Sequence, residues 1–162
     1  MQIVRESLRS YVWREGNFMR IAGLVLFLAL SLGLQAQETV TASFARLKTV
    51  EIFAFGGVGF VGSTSIGEKD FRILLGQSPD AARASFERLA TSGNPPAKAY
   101  ALTGLRLLKS PSYTRWLVAD LKSSETLRTQ SGCIVDSESL AKAAFKIDSG
   151  KMDWWISHPL RN

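Results

Sequence analysis

An apolar run, residues 21–34, dominates the beginning of the chain. Arg20 precedes this run, and Gln35, Ala36 and Gln37 follow it. A basic residue, a short hydrophobic region and a small residue at the cleavage position are typical of a secretory signal peptide. We therefore predict that residues 1–36 are a signal peptide, with Met19 as an alternative true start, and that residues 37–162 are exported.

The length of the run decides between a cleaved leader and a membrane anchor. A helix of about 14 residues rises about 21 Å, whereas the hydrocarbon core of a bilayer is about 30 Å thick. Because the run is short for a stable span, we expect cleavage and export to the periplasm or the medium. Retention of residues 21–34 as an inner-membrane anchor is the alternative.

The exported part is long enough for one domain with its own hydrophobic core. The chain has 20 basic and 14 acidic residues, a net charge of +6. These charges are scattered, whereas a nucleic-acid-binding surface needs them clustered on one face. The sequence therefore predicts a single domain with a mixed-charge surface and no nucleic-acid partner.

Helix start and stop signals recur through this domain. Ser65 and Glu68 have the spacing of a capping box, and Ser78 followed by Pro79 is a second start signal. The predicted helices are a segment from Ser65 to Leu75, then 79–91, 97–108, a helix after Ser110-Pro111, and 137–147 capped by Asp136.

The remaining segments are predicted to be extended or turns. Residues 37–55 are rich in β-branched and aromatic side chains, and residues 126–135 contain a Gly turn. We therefore predict a mainly α fold, a small single domain of four to five short helices after a short extended N-terminal segment.

Two resemblances follow from these motifs. Residues 97–105, Ala-Lys-Ala-Tyr-Ala-Leu-Thr-Gly-Leu, resemble one segment of a HEAT-like helical repeat, without a second copy in the chain. The wider pattern of Phe-Gly-Gly-Val-Gly at 55–59, Ser-x-Gly-Glu at 65–68, the 97–105 segment and Gly132-Cys133 resembles a family of uncharacterised exported bacterial proteins. That resemblance implies export and supplies no catalytic residue.

The glycine-rich segment 57–62 matches the pattern G-x-G-x-x-G, which in a dinucleotide-binding fold opens directly into a helix. Here the helix start comes later, at Ser65, and helices rather than alternating strands follow. We therefore interpret these glycines as tight turns and close backbone packing, and we predict no cofactor.

Cys133 and His158 are the only cysteine and the only histidine. One His and one Cys cannot supply the three or four ligands of a zinc site, so no metal site is predicted. We expect Cys133 to be a buried structural residue and His158 a surface residue near the terminus. A small exported enzyme or redox-sensitive protein that uses Cys133, with His158 as its base, is the alternative.

Aromatic residues are the remaining candidates for a binding surface. Tyr113, Trp154 and Trp155 are the candidate contact residues, because Trp and Tyr are enriched at the centres of interfaces. We therefore expect an exported, non-enzymatic interaction or structural protein whose partner is another protein.

Overall fold

The computed structural model describes residues 39–153 and residue 156. Its described part contains six helices and five short strands, so the fold is mainly α. The helices are α1 (39–48), α2 (Ile66–Leu75), α3 (Pro79–Ser92), α4 (Pro95–Leu107), α5 (Tyr113–Leu121) and α6 (Leu140–Asp148). The strands are β1 (Ile52–Phe53), β2 (Gly57–Val58), β3 (Ser63–Thr64), β4 (Thr126–Ser131) and β5 (Ile134–Ser139).

The predicted signal peptide lies outside the described residues. Within the described residues, no helix is both long enough and apolar enough to cross a membrane. Most of the β structure lies in one mixed sheet of order β1-β4-β5, in which β1 is parallel and β5 antiparallel to β4. β2 and β3 form a separate antiparallel hairpin.

The prediction of an extended N-terminal segment is wrong for most of its length, since α1 occupies residues 39–48. Val40, Phe44 and Leu47 recur at helical spacing and face the core, where Leu47 is fully buried. This apolar stripe outweighs the strand preference of the β-branched residues around it. Among the described residues of this segment, Ile52 and Phe53 alone form a strand.

The helix starts follow from their caps. The Ser65 hydroxyl accepts a hydrogen bond from the Glu68 backbone N–H at 3.0 Å, as the capping box predicts, and α2 ends at Leu75. Pro79 opens α3 as predicted, although the Ser78 side chain makes no cap hydrogen bond. α4 begins at Pro95, earlier than predicted, because the Asn94 side chain accepts a hydrogen bond from the Ala97 N–H.

The second hairpin runs further than the sequence predicts. The extended segment with a Gly turn is confirmed, but Asp136 does not cap the last helix, because β5 continues to Ser139. The Ser139 hydroxyl accepts the Lys142 N–H instead and starts α6. Residues 136–139 pair with residues 126–129 of β4, and Lys146 Nζ contacts the buried Glu138 carboxylate at 2.6 Å.

The core is centred on α4, which packs against α3, α5, α6 and the sheet. Gly104 allows the close approach of α3, since a Cβ at this position would lie 2.5 Å from the Phe86 ring. The largest fully buried side chains are Tyr100, Phe71, Phe86, Leu47, Leu74, Leu89, Leu102, Leu105, Leu140 and Ile147. One continuous apolar cluster therefore supports the sheet and both hairpins.

Candidate interaction site

The glycine-rich segment folds into a tight hairpin. Between β2 and β3, residues 59–62 form a turn in which the Gly62 N–H donates to the Gly59 carbonyl at 3.3 Å. Gly59 and Gly62 have φ values of +72° and +69°, which L residues with side chains rarely adopt. The interpretation of these glycines as turn residues is confirmed, and Phe60 and Val61 occupy the two corners of the turn.

The tip of the second hairpin lies against the first. Gly132 and Cys133 form the two-residue loop between β4 and β5, with Gly132 at φ +56°. The Gly59 N–H donates to the Gly132 carbonyl at 2.8 Å, and the Gly132 N–H donates to the Gly57 carbonyl at 3.1 Å. Backbone hydrogen bonds thus join the two turns into one unit.

This unit exposes a set of apolar side chains. Phe60 is 99% exposed, Val61 85% and Ile134 73%, and Val135 is also exposed. We call these four residues the apolar tip. The segments that carry it, 55–67 and 129–135, contain no Asp, Glu, Lys or Arg.

A buried hydroxyl holds the base of the first hairpin. Tyr100 Oη, on α4, donates to the Ala54 carbonyl at 2.8 Å and accepts the Ala54 N–H at 3.0 Å. The Ser65 hydroxyl donates to the same carbonyl at 3.1 Å. Burial raises the pKa of Tyr100 to about 12, so the phenol stays protonated and available as a donor.

Gly67 makes this arrangement possible. A Cβ at Gly67 would lie 2.6 Å from Tyr100 Oη, so only glycine lets the first turn of α2 rest on the phenol.

A buried carboxylate holds the next residue of the hairpin. The Glu68 side chain is essentially inaccessible to solvent, and its Oε2 accepts the Gly56 N–H at 2.9 Å. Its Oε1 accepts two hydrogen bonds from the Arg72 guanidinium, at 2.6 and 3.0 Å. A buried charge is tolerated only when it is paired and hydrogen-bonded, and Glu68 meets both conditions. Glu68 therefore does not reach back to Ser65 as in a reciprocal capping box.

Tyr100 and Glu68 together hold the base of the first hairpin, and we call these two residues the anchor. A cluster of aromatic rings surrounds Tyr100. The Phe53 and Phe55 rings meet edge to face with centroids 5.6 Å apart, and each also packs on Tyr100. Phe55 contacts Phe71 at 5.1 Å. Because these rings lock residues 53–55, the hairpin leaves the core from a fixed point.

Several residues of the glycine-containing sequence pattern lie close together at this place. Residues 55–59 and 65–68 come from one segment, whereas Tyr100 and the Gly132-Cys133 turn are distant from that segment in sequence. In the structure they form the anchor and the backbone bonds of the two turns. The pattern therefore describes how the apolar tip is held.

The predicted aromatic site is not part of this surface. Tyr113 is half-buried on α5, and its hydroxyl donates to the Asp148 carboxylate at 2.9 Å. Burial and this carboxylate raise the pKa of Tyr113 above its usual value. Trp154, Trp155 and His158 lie outside the described residues.

Cys133 is exposed, so the expectation of a buried cysteine is wrong. It occupies a two-residue turn at the domain surface, where no core packs on the side chain. Among the described residues, no side chain hydrogen-bonds the thiol, and no group of three or more His, Cys, Asp or Glu side chains could hold a metal.

The cavity nearest the sheet contains no unpaired carboxylate among its described lining residues, although Lys151 also lines it. It measures about 300 Å³ and lies between the strands and the segment after α6, lined in part by Phe53, Gln130 and Met152. Its carboxylate, Glu138, is buried and paired with Lys146. The pair is therefore suited to fixing α6 on the sheet.

Sequence reasoning missed the apolar tip, although a signal was present. Phe60 and Val61 stand between two glycines in a charge-free segment, and turn corners normally carry Pro, Asn, Asp, Ser or Gly.

The chain matches no protein-family model, and comparisons with curated proteins and with solved structures find no similar protein.

Proposed function

We propose that this chain is an exported, non-enzymatic interaction protein and that the apolar tip is its contact surface. The observation that carries the proposal is the nearly complete exposure of Phe60 at the corner of a tight turn. Ile134 joins it from the second hairpin, whose turn is hydrogen-bonded to the first.

The energetics favour a binding role for these side chains. Burying one Phe, Val or Ile side chain contributes about 1.5–3 kcal/mol of favourable free energy. Because the side chains of the tip remain exposed after folding, this free energy is available for binding a partner. The anchor fixes the backbone before any partner arrives, which lowers the ordering cost of association. An apolar surface held in this way is typical of an interaction site.

Site-specific photocrosslinking in the native host tests the proposal. A photoreactive residue is placed at position 60 or 134, and in control variants at position 145 or 118. Phe145 and Val118 are also exposed apolar residues, but they lie on α6 and α5 and not on the two turns. We expect covalent adducts from positions 60 and 134 and few from the controls.

Equal yields at all four positions would contradict a dedicated tip surface. The absence of any adduct, to protein or to lipid, would contradict the interaction role itself.

The exposure of Cys133 favours a second candidate, a redox-sensitive protein that pairs through this thiol. An exported chain with one cysteine can form a disulfide only with another molecule. Protein recovered from the host after acid quenching and non-reducing electrophoresis would then carry a mixed disulfide, and Cys133→Ser would remove it. Recovery of the thiol in fully reduced form would exclude this candidate.

A further inference from the structure

We infer that the apolar tip contacts a lipid bilayer, with Phe60 and Val61 entering the interfacial region. This inference rests on the proposed function, since it names the partner of the same surface. Shape, charge, backbone satisfaction and chain length support it.

The shape of the tip fits a soft surface better than a protein groove or a bound peptide. A Cβ added at Gly59, Gly62 or Gly132 would meet no atom within 4 Å, so open space surrounds both turns. With Phe60 99% and Val61 85% exposed, these side chains project into solvent instead of lining a groove. A bilayer interface can deform around such a projection.

The absence of charged side chains on the two turns favours their insertion into a bilayer interface. Residues 55–67 and 129–135 include no ionisable group other than the Cys133 thiol, so no charged side chain on these turns has to leave water. The nearest carboxylate of the anchor, Glu68, lies buried beneath the hairpin and is paired with Arg72. A charged side chain on either turn would oppose entry into the bilayer interface, whereas Phe, Val and Ile side chains favour it.

Three backbone N–H groups at the tip are already hydrogen-bonded within the protein, so they do not need water as a partner. The N–H groups of Gly59, Gly62 and Gly132 all donate to carbonyls within the two hairpins. Unpaired backbone groups are costly in lipid, and this mutual pairing removes three of them.

The sequence also places a bilayer close to the domain during export. Only four residues, 35–38, separate the apolar run 21–34 from residue 39, which belongs to α1. Four extended residues span at most about 14 Å. A run held in the membrane during export would therefore keep residue 39 within about 14 Å of the end of the run.

The full-length chain in phosphatidylcholine vesicles tests this inference. Cys133 is the only cysteine in the sequence, and it is exposed in the β4–β5 turn next to Ile134, so a single environment-sensitive fluorophore can be attached beside the tip. Quenching is measured with lipids that carry a spin label high on the acyl chain, and compared with quenching by aqueous iodide. We expect quenching by the lipid and protection from iodide.

Matched variants separate tip insertion from attachment through the apolar run. Phe60→Ser keeps the run and the fluorophore but should lower the inserted population of the tip about tenfold or more. Phe145→Ser removes a 59% exposed Phe from α6 and should leave lipid quenching unchanged.

Two results would overturn the inference. If the wild-type fluorophore is quenched by iodide and not by lipid, while position 60 crosslinks to a protein in the host, the partner is a protein pocket and the proposed function stands. If lipid quenching and crosslinking are both absent, the inference and the proposed function fail together.

Discussion

At the scale of single residues, Tyr100 connects the core to the candidate site. Its ring packs among Phe53, Phe55 and Phe71, while its hydroxyl satisfies both backbone groups of Ala54. A buried polar group without a partner costs about 1–3 kcal/mol. The hydroxyl is therefore important for both the stability and the position of the hairpin.

Replacing Tyr100 with Phe should lower the free energy of unfolding by about 1–3 kcal/mol, because the Ala54 N–H loses its partner. Urea denaturation followed by circular dichroism measures this. Tyr113→Phe is the control, since its hydroxyl bonds to Asp148 near the surface, and we expect a change below about 0.5 kcal/mol. Equal losses in the two variants would contradict the role of Tyr100 as an anchor.

Asp120 gives a prediction on pH dependence. It is buried near the end of α5, and this burial raises its pKa to about 6. The native state therefore binds the proton more tightly than the unfolded chain, and stability falls as pH rises from about 4 to about 6. Asp120→Asn, which mimics the protonated form, should be more stable than wild type by about 1 kcal/mol at pH 7.

This advantage should vanish at pH 4, where Asp120 in the folded protein is protonated. Urea denaturation of both proteins at the two pH values measures it, and the comparison cancels the other titrating groups. An equal advantage at both pH values would show that burial of the charge is not its cause.

At the scale of elements, capping predicts structure well where it acts locally. The Ser65 cap and Pro79 are short-range features, and α2 and α3 begin where they indicate. The β5 strand could not be predicted in the same way, because Asp136 has the chemistry of a cap but pairs with Thr129 in the sheet. Strand pairing depends on residues that are distant in sequence, and it decides the conformation there.

The first hairpin should depend on the left-handed backbone of its glycines. Gly59→Ala should cost about 1–2 kcal/mol, because a Cβ is strained at φ +72° even with open space around it. Gly76→Ala is the control, since Gly76 has φ −74° and its added Cβ would find only ordinary contacts. Thermal denaturation compares them, and a Gly76→Ala loss as large as that of Gly59→Ala would refute the argument from φ.

At the scale of the whole molecule, the mainly α fold could be predicted, but the candidate site could not. Periodic apolar residues such as Ala82, Phe86 and Leu89 face the core as their spacing indicates. Of the aromatic residues predicted as contacts, Tyr113 lies on α5 and bonds to Asp148, whereas Trp154 and Trp155 lie outside the described residues, so that prediction stays open. The apolar tip depends on two turns, 70 residues apart, that meet only in the folded chain.

The predicted leader concerns the whole molecule as well. Cleavage after Ala36 should leave a mature chain that begins at Gln37. Mass spectrometry of the N-terminal peptide, on protein recovered from the host, measures this. A chain that keeps residues 21–34 and fractionates with membranes would instead support the anchored form.

The most direct test of the account is the stability of Phe60→Ser beside that of Phe55→Ser. If Phe60 contacts a partner and does not pack within the domain, the free energy of unfolding of the Phe60→Ser variant should stay within about 0.5 kcal/mol of wild type. Phe55 is buried in the aromatic cluster, so Phe55→Ser should lower the free energy of unfolding by about 3 kcal/mol or more. A loss above about 1.5 kcal/mol for Phe60→Ser would mean that this side chain packs within the domain, and the apolar tip would then not be a free contact surface.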